Sequence, residues 1–137
     1  MMAFVLDASI VLAWFLPDES SPAADTLLER MQQEDVFAPA IWPLEIANAL
    51  LVAERRKRIS TVERLEFLEH LAALPVLLDR PHTADDLPAL SEVGREHSLS
   101  IYDACYLQLA QSRRIALATF DRELRAASAR MGVSTLP

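Results

Sequence analysis

Short apolar runs alternate with longer amphipathic stretches along the chain. The apolar runs predict buried strands, whereas the longer stretches start at capping residues and predict helices. The predicted strands are Ala3–Leu6, Val36–Ala38, Val76–Leu78, Ile115–Ala118 and Val133–Thr135. The predicted helices follow the Asp7–Ser9 turn through Leu16, then run from Pro22 to about Gln33, Ile41 to Arg58, Ser60 to before Pro75, Thr83 to about His97, Ser100 to Ser112 and Asp121 to about Arg130. Strands separated by helices pair in parallel through right-handed crossovers. The pattern therefore predicts a three-layer α/β fold in which helices flank a short parallel central sheet.

Length and composition predict one domain spanning residues 1–137. The chain has 137 residues, near the commonest domain size, and 52% of them are hydrophobic, which is enough for a full core. It contains 2 glycines, Gly94 and Gly132. A glycine-rich phosphate cradle is therefore impossible, which excludes the dinucleotide-binding fingerprint and the P-loop.

The single cysteine and the N-terminal segment indicate a cytoplasmic protein. Cys105 has no partner for an internal disulfide, and no cysteine pair exists to hold zinc. The first residues lack a basic flank and reach an acid at Asp7, unlike a signal peptide. The longest apolar stretch, Ile10–Leu16, is far shorter than the roughly 20 residues that span a bilayer. We expect no association with a membrane.

The net charge of −7 argues at first against nucleic acid as a partner. Bound cations in an acidic pocket would reverse the charge that a substrate meets there. Basic residues are also grouped in the run Arg55–Arg58 and in Arg113–Arg114. The first run has two interpretations, a contact with RNA backbone or a solvated helix end favoured by the helix dipole.

Four acids fall where a parallel sheet places its ligands. Asp7 directly follows the first strand, and Asp121 follows the Ile115–Ala118 strand. Glu45 and Asp103 lie in the first turns of their helices. Because ligands bind beyond the carboxyl ends of parallel strands, all four could converge on one edge.

Converging carboxylates favour a hard divalent cation. Two carboxylates about 4 Å apart repel by about 4 kcal/mol at an effective dielectric of 20. Magnesium prefers oxygen ligands and supports phosphodiester cleavage by activating water. Three of the acids also have ordinary structural interpretations, since Asp103 closes a capping box, Glu45 is a first-turn acid and Asp121 can be an N-cap. Asp7 has no such capping role.

Four segments resemble, in order, the motifs of PIN domains, in particular VapC-type toxins of type II toxin–antitoxin pairs. They are Phe4–Ser9, Trp42–Leu50, Leu99–Leu107 and Leu117–Leu124. The resemblance covers nearly the whole chain. Ser98 is a mild departure from this resemblance, because relatives often have glycine before the third motif. Serine adopts the left-handed conformation of a helix cap less readily than glycine.

The resemblance implies a PIN fold and an endoribonuclease that depends on Mg²⁺ or Mn²⁺. It implies that Asp7, Glu45, Asp103 and Asp121 are the catalytic and metal-binding residues. It also implies hydrogen-bonding support from Ser9, Asn48 and Thr119. An RNA substrate, a cognate antitoxin and a homodimer follow from the same resemblance.

Three other functions compete with this hypothesis. A non-toxin PIN nuclease of RNA processing would have the same site without an antitoxin. A PIN-like binding module without metal is disfavoured because all four acids are present. A phosphotransfer enzyme with an aspartyl-phosphate at Asp7 would need a second acid two residues on, where the chain has Ser9.

Overall fold

The computed structural model describes residues 2–137 and contains five strands and seven α-helices within that range. The strands are β1 (Ala3–Leu6), β2 (Asp35–Ala38), β3 (Val76–Leu78), β4 (Ala116–Ala118) and β5 (Thr135–Leu136). The helices are α1 (Ala8–Phe15), α2 (Pro22–Arg30), α3 (Trp42–Arg55), α4 (Thr61–Ala73), α5 (Leu87–His97), α6 (Ile101–Arg113) and α7 (Arg122–Arg130). Short 3-10 turns occupy Pro17–Glu19 and Ala84–Asp86.

All pairings in the sheet are parallel, in the order β3-β2-β1-β4-β5. The predicted fold class, a parallel sheet flanked by helices, is confirmed. Parallel strands cannot be joined by tight hairpins, and the helices between them supply the crossover connections. The carboxyl ends of all five strands consequently point towards one edge of the sheet.

Strand β1 lies at the centre of the sheet and of the core. Phe4, Val5 and Leu6 are completely buried, as expected for a parallel strand covered on both faces. Val5 is in register with Phe37 of β2 on one side and Leu117 of β4 on the other. The end of β1 is therefore fixed by neighbours on both sides.

The helices pack in two groups around the sheet. Helices α1 to α4 contact one another, whereas α6 packs on β1 and β4 and also contacts α5 and α7. Phe15 of α1 stacks on Phe67 of α4 with 5.2 Å between ring centroids, which joins the first and last helices of the first group. Together the two groups cover the sheet and bury its apolar residues.

Several predicted boundaries differ from the structure. Helix α2 ends at Arg30 rather than at about Gln33, and α5 begins at Leu87 rather than Thr83, after the 3-10 turn at Ala84–Asp86. Helix α3 ends at Arg55 rather than Arg58, because Lys57 adopts a left-handed conformation with φ of 60°. The last strand is Thr135–Leu136 rather than Val133–Thr135, so it starts two residues later than predicted, and Ser134 only accepts the N–H of Leu117 before regular pairing begins.

The predicted core face of α3 was partly wrong. Because Glu45 and Asn48 are three residues apart and share one face, helical spacing predicts that Leu44, Ala47 and Leu51 face the core. In the structure 70% of the surface of Leu44 is exposed. Ile46, Leu50 and Ala53 are completely buried instead. These positions are spaced four and three residues apart and form one helical stripe, which leaves Leu44 on a different face.

Ser98 ends α5 in the left-handed conformation, with φ of 54° and ψ of 40°. This strain predicts that Ser98→Gly raises the free energy of unfolding by about 0.5–1 kcal/mol, because glycine adopts this conformation without a steric cost. Ser91→Gly is the matched control, since Ser91 is exposed within the same helix and glycine there should lower stability. Urea denaturation measures both, and a destabilised Ser98→Gly variant would contradict the strain.

Candidate active site

Asp7 is the buried acid at the carboxyl end of β1. Its side chain retains 7% exposure, and its backbone N–H donates to the carbonyl of Ala118 at 2.9 Å, extending the β1–β4 pairing by one residue. Burial raises the pKa of the Asp7 carboxyl above its ordinary value, while hydrogen bonds from Ser9 and Thr119 act in the opposite direction. An isolated carboxylate is expensive in such a place, so these donors are needed to hold it.

Two hydroxyls hold Asp7 in position. The Oγ of Ser9 and the Oγ1 of Thr119 each donate to Oδ2 of Asp7 at 2.7 Å. Both hydroxyls also accept backbone bonds, Ser9 from the N–H of Phe120 and Thr119 from the N–H of Asp121, each at 3.0 Å. This network connects the end of β1 to the turn between β4 and α7.

Glu45, in the first turn of α3, is held by a buried tyrosine. The hydroxyl of Tyr106 donates to Oε1 of Glu45 at 2.6 Å. Burial raises the pKa of Glu45, the Tyr106 bond opposes that shift, and repulsion from Asp7 and Asp103 adds to it. Burial, followed by the neighbouring acids, raises the pKa of Tyr106 far above its usual value, so the hydroxyl remains a donor.

Asp103, in the first turn of α6, has a carboxylate that faces the other acids. Its backbone N–H donates to Oγ of Ser100 at 3.1 Å, but within residues 2–137 the backbone N–H of Ser100 makes no return bond to the Asp103 carboxylate. The predicted capping box is therefore only half formed. Burial and repulsion from Asp7 and Asp121 raise the pKa of Asp103 to about 6.

Asp121 serves as a helix cap and lies near the cluster. Its Oδ1 accepts the N–H of Leu124 at 2.9 Å at the start of α7, and the residue is exposed. The interpretation of Asp121 as an N-cap is thus correct for its Oδ1 atom. Its charge nevertheless contributes to the raised pKa of Asp103, so the two carboxylates are neighbours.

Asn48 lies one turn after Glu45 on α3 and is exposed. No hydrogen bond in the described part of the chain joins its amide to the acids. It lines, together with Glu45, an open cavity beside the carboxylates. Asn48 is therefore placed next to the acid cluster, although it does not position any of the four acids.

The donor set suits a hard cation, although the acids are not gathered around one point. Among residues 2–137, no group of three or more His, Cys, Asp or Glu side chains is arranged to hold a metal ion. The four acids offer carboxylate oxygens, which magnesium and manganese prefer. Mutual repulsion of Asp7, Glu45 and Asp103 is the charge imbalance that a cation would relieve.

Tyr106 is the one site residue to which the sequence assigned no role. It lies three residues after Asp103 in α6, so the two share a helix face, and that spacing was the available signal. Its partner Glu45 is 61 residues away in the sequence, and only the packing of α3 beside α6 reveals the bond.

Residues outside the cluster have structural roles. Arg58 forms ion pairs with Asp18 at 2.8 Å and Glu19 at 2.9 Å, which favours the solvated-end interpretation for that residue. Cys105 is buried, and burial together with Glu45 and Asp103 raises the pKa of its thiol to about 11, so it is a poor nucleophile. No helix within residues 2–137 is both long and apolar enough to cross a membrane.

The fold and the acid cluster place the chain in a class of α/β proteins with carboxylates at the end of a parallel sheet. Similarity to known proteins identifies the family within this class. The PIN domain matches residues 4–129. Ribonuclease VapC3 of Pyrobaculum aerophilum is 30% identical over 123 residues, covering 90% of this chain and 92% of that protein. The chain belongs to the PIN-domain family.

Solved structures agree with this assignment. PAE2754 from Pyrobaculum aerophilum has a TM-score of 0.68 and 26% identity, covering 98% of this chain and 83% of its own. FitAcB from Neisseria gonorrhoeae has a TM-score of 0.67 at 14% identity, covering 98% of this chain and 96% of its own. The second likeness concerns the fold alone.

The pKa of Asp103 predicts how stability depends on pH in metal-free protein. Its native pKa of about 6 lies above the ordinary value of 3.8, so the native state binds the proton more tightly. Stability from this group is present at low pH and is lost as pH rises from about 4 to 6. In EDTA, Asp103→Asn should therefore raise the free energy of unfolding by about 1–2 kcal/mol at pH 7.5, after allowance for solvent screening.

The same gain should shrink at pH 5, where wild-type Asp103 is largely protonated. Thermal melts at both pH values measure it. Asp25→Asn, an exposed acid in the first turn of α2, is the control and should give no stabilisation at either pH. Equal stabilisation by Asp103→Asn at both pH values would contradict the raised pKa.

Proposed function

We propose that this chain is a metal-dependent endoribonuclease, and that it acts as the toxin of a toxin–antitoxin pair. The observation that carries the proposal is the buried Asp7 carboxylate at the end of the central strand, whose charge adds to burial in raising the pKa of both Glu45 and Asp103. Carboxyl groups whose pKa values are raised by burial and by neighbouring acids are typical of functional sites. A merely structural role would not require this repulsion.

Asp7, Glu45, Asp103 and Asp121 are the residues that would hold a magnesium or manganese ion. Oxygen donors from carboxylates match these hard cations, and no His or Cys takes part in the cluster as in zinc sites. The ion, when bound, would lower the pKa of a water and neutralise charge on the phosphate. It would also offset the repulsion that raises the pKa of Asp103.

The chain's own residues position this donor set. Ser9 and Thr119 hold Asp7 through two bonds to one oxygen, which fixes the direction of its carboxylate. Tyr106 holds Glu45 and, because its hydroxyl stays protonated, can donate to the ionised carboxylate. Asp121 is fixed by the cap it makes to α7. The side chains are therefore pre-arranged before any substrate arrives.

The choice of RNA as substrate rests on the four-motif resemblance and on the likeness to Ribonuclease VapC3. The resemblance to VapC-type toxins also supports an antitoxin protein as partner, a homodimer and a cytoplasmic location. A small antitoxin gene immediately upstream of this one would decide between a toxin and a PIN nuclease of RNA processing.

Loss of one site carboxylate should abolish RNA cleavage. Asp7→Asn and Asp103→Asn keep the side-chain shape but remove charge, so cleavage should fall by at least about 100-fold with the circular dichroism spectrum unchanged. Sequencing of RNA 5′ ends after induced expression, with cleavage assays on purified protein, measures the effect. Asp25→Asn is the matched control, because it changes an exposed acid in the first turn of α2 that is not one of the four site acids. Near-normal cleavage by either site variant would contradict the assignment of these acids to the active site.

Divalent cations should stabilise the folded protein. A ligand that binds only the native state adds about 2.7 kcal/mol at 100 times its Kd. Millimolar magnesium or manganese should therefore raise the melting temperature, and Asp7→Asn should remove most of that rise. Calorimetry of wild type and variant, with and without EDTA, checks both. A melting temperature indifferent to these ions would count against the metal.

A further inference from the structure

We propose that the open cavity beside Glu45 is a nucleobase subsite, which takes an unpaired base of RNA next to the phosphate that is cut. This inference rests on the proposed function and adds to it a position that binds the substrate. We call the cavity the base pocket. It is lined by Ile41, Leu44, Glu45, Asn48 and Tyr102, and its volume is about 370 Å³. That volume is within the range of pockets that bind small organic groups, roughly 300–1,000 Å³.

The base pocket exposes apolar surface that the fold does not use. Leu44 is 70% exposed and Tyr102 is 53% exposed, the largest values among the apolar side chains of their helices. In both cases the neighbouring positions on the helix supply the core contacts instead, through Ile46 on α3 and Tyr106 on α6. Packing therefore gives no reason for a leucine and a tyrosine at these two positions.

The base pocket is continuous with the acid cluster. Glu45 belongs to both, since it lines the pocket and is repelled by Asp7 and Asp103. Leu44 directly precedes Glu45, and Tyr102 directly precedes Asp103. The two exposed apolar side chains thus line one cavity, and each directly precedes a proposed metal ligand in the sequence. A nucleotide whose phosphate reached the acids would bring a neighbouring base to this cavity.

The charge of the residues that line the base pocket favours an uncharged base over a phosphate. None of its five lining residues is Lys or Arg, and Glu45 would repel a phosphate. An uncharged aromatic base has no such penalty and can stack on the ring of Tyr102. The amide of Asn48 offers both a donor and an acceptor to the edge of the base. Unpaired RNA bases are recognised by this combination of stacking and edge hydrogen bonds.

The overall charge makes such a subsite useful. With a net charge of −7, the chain cannot rely on general attraction to phosphates, which dominates most nucleic-acid binding. Arg58, a member of the most basic run, is already paired with Asp18 and Glu19. Stacking on Tyr102 supplies affinity that does not depend on positive charge.

Steady-state cleavage of single-stranded RNA oligonucleotides by the full chain in magnesium tests the proposal. Tyr102→Ala should raise KM by roughly 5- to 150-fold, the range for loss of one base–aromatic stack, and leave kcat within about twofold. Tyr102→Phe should keep the wild-type KM, because the ring and not the hydroxyl stacks. Val62→Ala is the control, since Val62 is 63% exposed on α4 and lies outside the pocket.

A second measurement does not require cleavage. Oligonucleotides containing 5-iodouridine, irradiated with wild-type protein in EDTA, should cross-link to Tyr102, as located by mass spectrometry of the digested protein. An unchanged KM for Tyr102→Ala with no cross-link at Tyr102 would overturn the subsite. An equal rise in KM for Tyr102→Phe would overturn stacking.

Two further results would each overturn the proposal differently. If Tyr102→Ala turns a dimer into a monomer on gel filtration while KM stays unchanged, the surface belongs to a second copy of the chain. If wild-type protein cleaves no RNA under any of these conditions, the proposed function fails and the subsite fails with it. Failure of the subsite alone leaves wild-type cleavage intact.

Discussion

The structure depends most on one constraint, which is the repulsion among carboxylates that lie at one end of the sheet. Asp7 is nearly enclosed, and its charge adds to burial in raising the pKa values of Glu45 and Asp103. In a medium of low dielectric such charges oppose folding unless hydrogen bonds or a cation compensate them. The hydroxyls of Ser9 and Thr119 provide part of this compensation. The repulsion that remains uncompensated is the physical basis of the proposal that a metal ion binds here.

The parallel sheet makes that arrangement possible with short elements. Every strand ends at the same edge, so an acid placed just after a strand or just inside the next helix comes to that edge without a long loop. The central position of β1 then buries the first acid more deeply than the others. The gradient from buried Asp7 to exposed Asp121 therefore follows from strand order.

Most of the fold could be predicted from sequence, and so could the placement of the four acids just after strands or at helix starts, because apolar runs, capping residues and strand-end acids are local signals. The errors have non-local causes. Leu44 was assigned to the core because helical spacing alone does not say which apolar stripe meets the sheet. The bond from Tyr106 to Glu45 links residues on two helices that only packing brings together. Helix α3 ends earlier than predicted because Lys57 adopts a left-handed backbone conformation, which a lysine side chain does not predict.

The pairing of β1 with β4 has a consequence for the order in which the protein is made. Thr119 bonds Asp7 across a separation of 112 residues, and Phe120 bonds Ser9 across 111 residues. Synthesis from Asp7 onwards must therefore pass through most of the described chain before these bonds can form. A chain that stops before Thr119 lacks the bonding around Asp7, whichever of its earlier elements have folded.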